Sequence, residues 1–216
     1  MNRSDADTLW RIAGCLAREA TKVSRTAGRS RPNLPPLLFF TDPERTPEPW
    51  RIAGRLPAGS GVVYRHFGAP DALETARRLR EATRKRDVLL LIGRDAALAD
   101  AVEADGVHLP EVMAARATVL AARRPDWTLT AAFHGHADCP DFDGLDALVA
   151  SPVFPAGGAS SASPPLGVEG LAAIVRGASC PVYALGGIDA SNASALTGSG
   201  AYGIAGVGSI RTAFSD

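Results

Sequence analysis

The sequence predicts a single (β/α)8 barrel with an extra N-terminal helix. The 216-residue chain holds eight short apolar runs, and segments with helical periodicity separate most of them. The runs are continuously apolar rather than alternating, as expected of parallel strands that are buried on both faces. No GxGxxG follows the first run, which disfavours the doubly wound open sheet, the second architecture compatible with this pattern. Eight strand–helix units in about 180 residues favour the barrel.

The chain divides into three predicted parts. Residues 1–28 are expected to form a helix, because Leu9, Ile12 and Leu16 recur at three- and four-residue steps. Residues 29–36 are read as a linker because Gly and Pro interrupt the pattern there, and residues 37–216 are assigned to the barrel. We expect the N-terminal helix to pack on the side or bottom of the barrel, with self-association into a homo-oligomer as the alternative.

Each barrel element follows from the same reading. The predicted strands are PLLFF, GVVY, VLLLI, GVHL, LTAAF, ALVA, VYAL and GIAGV. The predicted helices are Asp71–Arg86 with Asp71 as its N-cap, Asp95–Ala104, Glu111–Arg124, Val168–Arg176 and Ser191–Ser199. Helices five and eight are expected to be short, since Cys139-Pro140 interrupts one segment and the chain stops about two turns after the last strand.

Composition excludes several classes of function. The formal net charge is zero, which gives no electrostatic footprint for nucleic acid. No apolar run is long enough to span a bilayer, and the N-terminus lacks the apolar region of a secretory signal, so a cytoplasmic location is expected. The three cysteines have neither disulfide nor metal-ligand spacing.

Candidate functional residues follow the strands, because a (β/α)8 barrel places its site at the carboxyl ends of its strands. All four histidines lie at the carboxyl ends of strands in this assignment. The candidate ligand-binding side chains are Arg65, Arg94, His108 and Ser151, and His134 is the candidate catalytic group. The turns after strands seven and eight carry Gly186, Gly187, Gly208 and Ser209, which we interpret as a phosphate-binding cradle of backbone N–H groups; the alternative is that these glycines only form tight turns.

Several of these segments together resemble one known family. FFTD, ADGVHL, SPVFP, GGI with a following Asn, and GAYGIAGVGSI occur in the order seen in the thiamine phosphate synthase/TenI family, over about residues 37–210. The resemblance implies a (β/α)8 barrel that acts in thiamine biosynthesis. The synthases of this family join a pyrimidine pyrophosphate to a thiazole phosphate and use magnesium. Its TenI branch shifts a double bond in the thiazole phosphate.

The sequence departs from the synthase pattern at the metal. The Asn-Asp pair that follows strand three in synthases is replaced by Gly93 and Arg94, and the second magnesium-binding Asp is replaced by Met113. Neither a guanidinium nor a thioether suits a cation that prefers oxygen ligands, so no metal cofactor is expected. We expect Arg94 either to pair with Asp42 or Asp95 or to bind an anion directly.

The loop after strand six departs as well. The resemblance places a Pro-Thr-x-Thr-Lys motif there, which holds phosphate and pyrophosphate, but this chain has Pro155 followed by Ala and Gly through residue 159. What the resemblance leaves in place is the glycine cradle, Arg65 and His134. His134 matches the strand-five histidine that serves TenI-type enzymes as general acid and base, a role that suits a group titrating near neutral pH.

Three functions remain open. The first is a TenI-like barrel that binds a thiazole phosphate or a similar small phosphate and transfers a proton without metal. The second is a thiamine phosphate synthase, a transferase that releases pyrophosphate. The third is a non-catalytic ligand-binding member of the family.

Overall fold

The fold is a closed barrel of eight parallel strands, in which each strand pairs with the next and β1 pairs with β8. The structure, a computed structural model, describes residues 3–24, 34–135, 143–157 and 163–215. The strands are β1 Leu37–Phe40, β2 Gly61–Tyr64, β3 Leu89–Gly93, β4 Gly106–Leu109, β5 Thr128–Phe133, β6 Ala147–Ala150, β7 Val182–Leu185 and β8 Gly203–Gly206. The eight predicted strands and the barrel are therefore confirmed.

Alternate residues of each strand face two separate apolar layers. One layer fills the barrel and includes Leu38, Phe40, Val63 and Leu91. The other lies between the barrel and the helices and includes Phe39. Because side chains alternate along a strand, His108, two residues after Gly106, belongs to the face that points into the barrel. Arg65 and His134 extend the inward-facing positions of β2 and β5 in the same way.

The helices of the described residues surround the barrel unevenly. They are α1 Arg3–Ser24, α2 Pro49–Ala53, α3 Ala72–Arg86, α4 Ala96–Ala101, α5 Ala117–Arg123, α6 Gly167–Gly177 and α7 Gly208–Phe214, with 3-10 helices at Glu111–Arg116 and Ala193–Leu196. The last helix, α7, is short as expected. No helix occurs in the described part of the β5–β6 connection, and residues 136–142, which include His136 and Cys139, lie outside the described residues.

Three helix predictions differ in extent from the structure. The helix expected over Ser191–Ser199 is a single 3-10 turn at Ala193–Leu196, because the backbone is extended at Thr197 and has a positive φ at Gly198 and Gly200. The helix expected over Asp95–Ala104 ends at Ala101, and Glu103 lies in the left-handed region with φ 51°. The helix expected over Glu111–Arg124 begins with a 3-10 segment that ends at Arg116.

The N-terminal helix α1 covers the side of the barrel next to the β7–β8 connection, which contains the 3-10 turn. It packs against α7, β8, β1 and the 3-10 helix Ala193–Leu196. Leu9, Ile12, Ala13 and Leu16 are buried in the outer apolar layer. The apolar side of α1 is thus occupied by the barrel of the same chain. None of the described helices is both long and apolar enough to cross a membrane.

Candidate functional site

A cavity of about 1040 Å³ opens at the carboxyl ends of the strands. The turns after β1, β2, β6, β7 and β8 line it, together with the first turns of α1. The cavity brings together five of the predicted residues: Arg65, Gly186, Gly187, Gly208 and Ser209. Arg94, His108, His134 and Ser151 are not among its lining residues.

The glycine turn after β7 is built for close contact with the loop after β6. Gly186 and Gly187 have φ values of 100° and 66°, which side chains rarely tolerate. A Cβ at Gly186 would lie 2.8 Å from Cα of Pro152, and one at Gly187 would lie 2.5 Å from the carbonyl oxygen of Pro155. The Phe154 N–H donates to the Gly186 carbonyl at 3.0 Å. These glycines therefore do more than face the cavity, because they also let the two loops lie side by side.

A small side-chain network fixes the same turn. The Asn192 amide nitrogen donates to the Gly187 carbonyl at 2.8 Å, and its oxygen accepts from the Asp189 N–H at 3.0 Å. The Asp189 carboxylate accepts from the hydroxyl and the N–H of Ser191. These hydrogen bonds, first that of the Ser191 hydroxyl, lower the pKa of Asp189. The sequence reasoning missed Asn192 and Asp189 as supports of the turn, although the GGI-with-Asn pattern contained the signal.

The turn after β8 is open where the turn after β7 is crowded. A Cβ added at Gly208 would meet nothing within 4 Å. Gly208 and Ser209 are the first residues of α7, and the first N–H groups of a helix have no partner within that helix. Free N–H groups in a cavity can bind an anion.

Arg65 contributes a cation to the cavity wall. Its Nε donates to the Thr41 carbonyl at 2.8 Å, and its Nη2 lies 3.8 Å from the Asp42 carboxylate. Burial lowers the pKa of Arg65, and the Asp42 carboxylate acts in the opposite direction. An arginine stays protonated in proteins, so Arg65 presents a fixed positive charge to the cavity.

His108 is a buried neutral side chain next to Arg65. Its Nδ1 lies 2.9 Å from the Thr130 hydroxyl, and its ring packs edge-on against Phe40. Burial lowers the pKa of His108 to about 3, with smaller contributions from the charges of Arg65 and His134. His108 is therefore uncharged at neutral pH, and its role is structural: it is not a proton carrier. Arg65 and His108 both contact the Phe40 ring, so the two side chains are neighbours at the barrel mouth.

His134 is held by Glu111, a residue that sequence analysis did not assign to it. The Glu111 carboxylate lies 2.7 Å from Nδ1 of His134 and 3.1 Å from its backbone nitrogen. An ionised carboxylate only accepts hydrogen bonds, so Nδ1 carries a hydrogen, and in the neutral form of the ring the lone pair is on Nε2. The side chain of His134 is 52% exposed, which gives it access to water and to a ligand at the mouth.

Arg94 forms neither of the ion pairs, with Asp42 or with Asp95, that were one of its two expected roles. Asp42 faces Arg45 and Arg65, and Asp95 caps α4 and lies 3.6 Å from His66. No carboxylate of the described residues lies within ion-pair distance of Arg94, which is exposed and has φ 68°. Its backbone N–H donates to the His108 carbonyl, so the turn directs the Arg94 side chain to solvent. Ser151 is buried at the end of β6, where its N–H donates to the Phe133 carbonyl.

The residues at the expected magnesium positions do not fit that ion. The guanidinium of Arg94 is a cation, and Met113 packs against the outer apolar layer. The two nearby carboxylates, Asp95 and Glu111, are engaged with the α4 N-terminus and with His134. Within the described ranges, no three His, Cys, Asp or Glu side chains are grouped so that they could hold a metal.

Comparison with known proteins identifies the family. The family model described as thiamine monophosphate synthase (TMP-TENI) matches residues 51–210. A thiamine-phosphate synthase of Pyrococcus furiosus is 31% identical over 183 residues, which cover 82% of this chain and 87% of the relative. A thiamine-phosphate synthase of Chloroflexus aurantiacus is 33% identical over 169 residues, which cover 75% and 77%.

Solved structures agree with this result. The thiamine phosphate pyrophosphorylase of Pyrococcus furiosus superimposes with a TM-score of 0.69 at 29% identity, covering 84% of this chain and 92% of that one. An N-(5'-phosphoribosyl)anthranilate isomerase from Pyrococcus furiosus, at 13% identity and a TM-score of 0.53, shares the fold alone. The chain belongs to the thiamine monophosphate synthase family, whose fold and sequence pattern it carries.

Proposed function

We propose that this protein binds a thiazole phosphate or a similar small phosphorylated ring and moves a proton on it without a metal. His134 is the proton carrier and Glu111 positions it. The observation that carries this proposal is the Glu111–His134 pair, 2.7 Å apart, at the same end of the barrel as the glycine turns and Arg65. We place this activity in the cytoplasm, with a small molecule rather than a nucleic acid as the partner.

The chemistry requires one group that removes a proton and returns one elsewhere. With hydrogen on Nδ1, the Nε2 of His134 accepts a proton from the ring of the ligand. The resulting imidazolium is stabilised by the Glu111 carboxylate on its other side. Nε2 then delivers a proton to the other end of the shifting double bond, and the His134 ring returns to its neutral form. Proton transfer of this kind accelerates reactions by about 10² to 10⁴-fold.

The charge states of two nearby side chains, His108 and Arg65, support the proposal. Burial lowers the pKa of His108 to about 3, so this side chain is too weak a base to compete with His134 for the transferred proton. Arg65 supplies a fixed positive charge near the developing negative charge of a deprotonated ring. The phosphate is held by N–H groups of the turns after β7 and β8, an arrangement that needs no side-chain donor.

Thiamine phosphate synthase is the second candidate function. It is favoured by the names of the relatives, which are thiamine-phosphate synthases at 31% and 33% identity. It is disfavoured by the side chains at the magnesium positions and by the loop after β6, where Ala156 and Gly157 follow Pro155.

Calorimetric titration with thiazole phosphate, in EDTA and then in excess Mg²⁺, tests the proposal first. We expect saturable binding of equal affinity in both conditions. Proton NMR in D₂O then follows the double-bond shift and the uptake of deuterium by the ligand. His134→Gln should abolish the shift while leaving the binding affinity in place, and Lys85→Gln on the exposed side of α3 serves as the control.

Other outcomes separate the alternatives. Binding that EDTA abolishes would overturn the metal-free proposal. Release of pyrophosphate from a pyrimidine pyrophosphate in the presence of thiazole phosphate would establish the synthase. Binding with no shift in wild-type protein would indicate a non-catalytic ligand-binding member of the family.

A further inference from the structure

Phe67 is a large apolar side chain in an unfavourable position. It is 73% exposed, and its φ of 48° lies in the left-handed region. It occupies the turn after β2, where the His66 carbonyl accepts from the Ala69 N–H at 2.8 Å and Gly68 also has a positive φ. Two consecutive positive φ values define a type I′ turn, which favours Asn, Asp or Gly at the position of Phe67. An exposed aromatic ring in a strained backbone position suggests a functional role.

The Phe67 ring lies on a cation of the cavity wall. The Arg65 guanidinium is 5.4 Å from the ring centre of Phe67 and 5.5 Å from that of Phe40, so it lies between two aromatic rings. Arg65 is also anchored through the Thr41 carbonyl. The anchored Arg65 guanidinium therefore supports the Phe67 ring. Phe67 also lines the cavity that is bordered by the glycine turns.

The charges of the cavity limit what else can bind there. The described lining residues include the carboxylates of Asp5, Asp42, Glu44 and Asp189 and the guanidiniums of Arg45 and Arg65. Both guanidiniums face the same carboxylate, Asp42, with Nη2 atoms 3.4 Å and 3.8 Å from Oδ2. A single phosphate can use the N–H groups of the turns. A second phosphate would meet carboxylates, with no uncommitted cation among these lining residues.

We propose that Phe67 is the stacking surface for a planar, uncharged ring on a monophosphate ligand, and that this cavity selects such monophosphates over diphosphates. The proposal deepens the proposed function and rests on its phosphate cradle. It gives each part of the ligand a binding position. The phosphate lies at the turns after β7 and β8, and the ring lies against Phe67.

The test uses unreactive probes, so that it is independent of catalysis. Phenethyl phosphate, ethyl phosphate, inorganic phosphate and inorganic pyrophosphate are titrated by calorimetry in EDTA, against wild-type protein and Phe67→Ala, Phe67→Tyr and Val119→Ala. Val119 is a second exposed apolar side chain, 70% exposed and outside the cavity, and is the matched control. Circular dichroism and Tm confirm that each variant folds.

We expect Phe67→Ala to weaken phenethyl phosphate by about three- to tenfold, the range of an aromatic pair, and to leave ethyl phosphate within about twofold. Phe67→Tyr and Val119→Ala should preserve the wild-type preference. Pyrophosphate should bind no more tightly than phosphate.

An unchanged ring preference in Phe67→Ala would overturn the proposal, as would pyrophosphate binding about tenfold more tightly than phosphate. Failure of all phosphate probes to bind would overturn it together with the cradle. A Phe67-dependent ring preference in a protein without proton-transfer activity would support this inference and contradict only the proposed function.

Discussion

The carboxylate of Glu111 holds His134 at two points, 2.7 Å from Nδ1 and 3.1 Å from the backbone nitrogen. The first contact sets the tautomer of the ring and the second fixes the backbone that carries it. Glu111 begins the 3-10 segment after β4, and His134 follows β5, so neighbouring strands bring the two residues together. This relationship makes Glu111 a positioning residue with a measurable role.

Glu111→Gln should lower kcat for the double-bond shift by about tenfold or more and leave KM nearly unchanged, because the variant retains the hydrogen bonds but loses the charge that stabilises the imidazolium. Nitrogen NMR of the histidine ring should show a mixture of tautomers in the variant and one tautomer in wild type. Glu81→Gln on α3 is the control. An unchanged tautomer would contradict the assigned role.

His108 should make the fold sensitive to acid. Its folded-state pKa of about 3 is below the ordinary 6.5, so between these values the unfolded chain binds more protons and stability falls as the pH falls. From pH 7 to pH 5 this one residue should cost about 2 kcal/mol. Urea unfolding at both pH values should show that His108→Gln loses less stability than wild type. Equal losses would show that burial does not hold this histidine neutral.

The two glycine turns should respond differently to alanine. Gly186→Ala places a Cβ against Pro152 in a left-handed conformation and should lower the free energy of unfolding by about 2 to 4 kcal/mol. Gly208→Ala has open space and should change it by no more than about 0.5 kcal/mol. Urea denaturation measures both variants. Equal destabilisation would mean that the turn after β8 is as closely packed as the turn after β7.

Asp105 should be a structural residue. Its carboxylate accepts two hydrogen bonds from Arg80, at 2.6 Å and 3.1 Å, and one from the Leu90 N–H at 2.7 Å. Asp105→Ala removes these partners and should cost about 2 to 4 kcal/mol of stability. Asp126→Ala breaks an exposed pair with Arg124, which water and salt screen, and should lower stability much less. Thermal unfolding of the two variants compares them, and an equal shift in Tm would contradict this distinction.

The strands could be predicted from the sequence because each one contains a short, mostly apolar run that is buried over most of its length. The helices could be predicted less well. The 3-10 turn at Ala193–Leu196 ends where Thr197 is extended and Gly198 has φ 81°, and apolar periodicity does not show this break. The seven-residue α7 was predictable from the position of the last strand.

The site could be predicted only in part, since a strand end specifies a position but not a partner. Arg65 and the four turn residues do share one cavity. The partner of His134 could not be predicted, because Glu111 lies 23 positions away in the sequence and follows a different strand. An ion pair was one of the two roles expected of Arg94, but Asp42 and Asp95 lie next to other side chains. The ADGVHL segment supports the fold, since Asp105 anchors β3 and a Cβ at Gly106 would collide with the Thr128 carbonyl.

The loop after β6 is pinned at both of its ends. The Leu166 and Gly167 N–H groups donate to the Pro152 and Val153 carbonyls at 2.9 Å, and the Val153 N–H donates to the Leu185 carbonyl at 2.9 Å. The chain between these points therefore leaves and rejoins the barrel at one fixed place. We therefore expect that the residues between these two points can be replaced, in evolution or by loop grafting, while the barrel keeps its strand register and its stability.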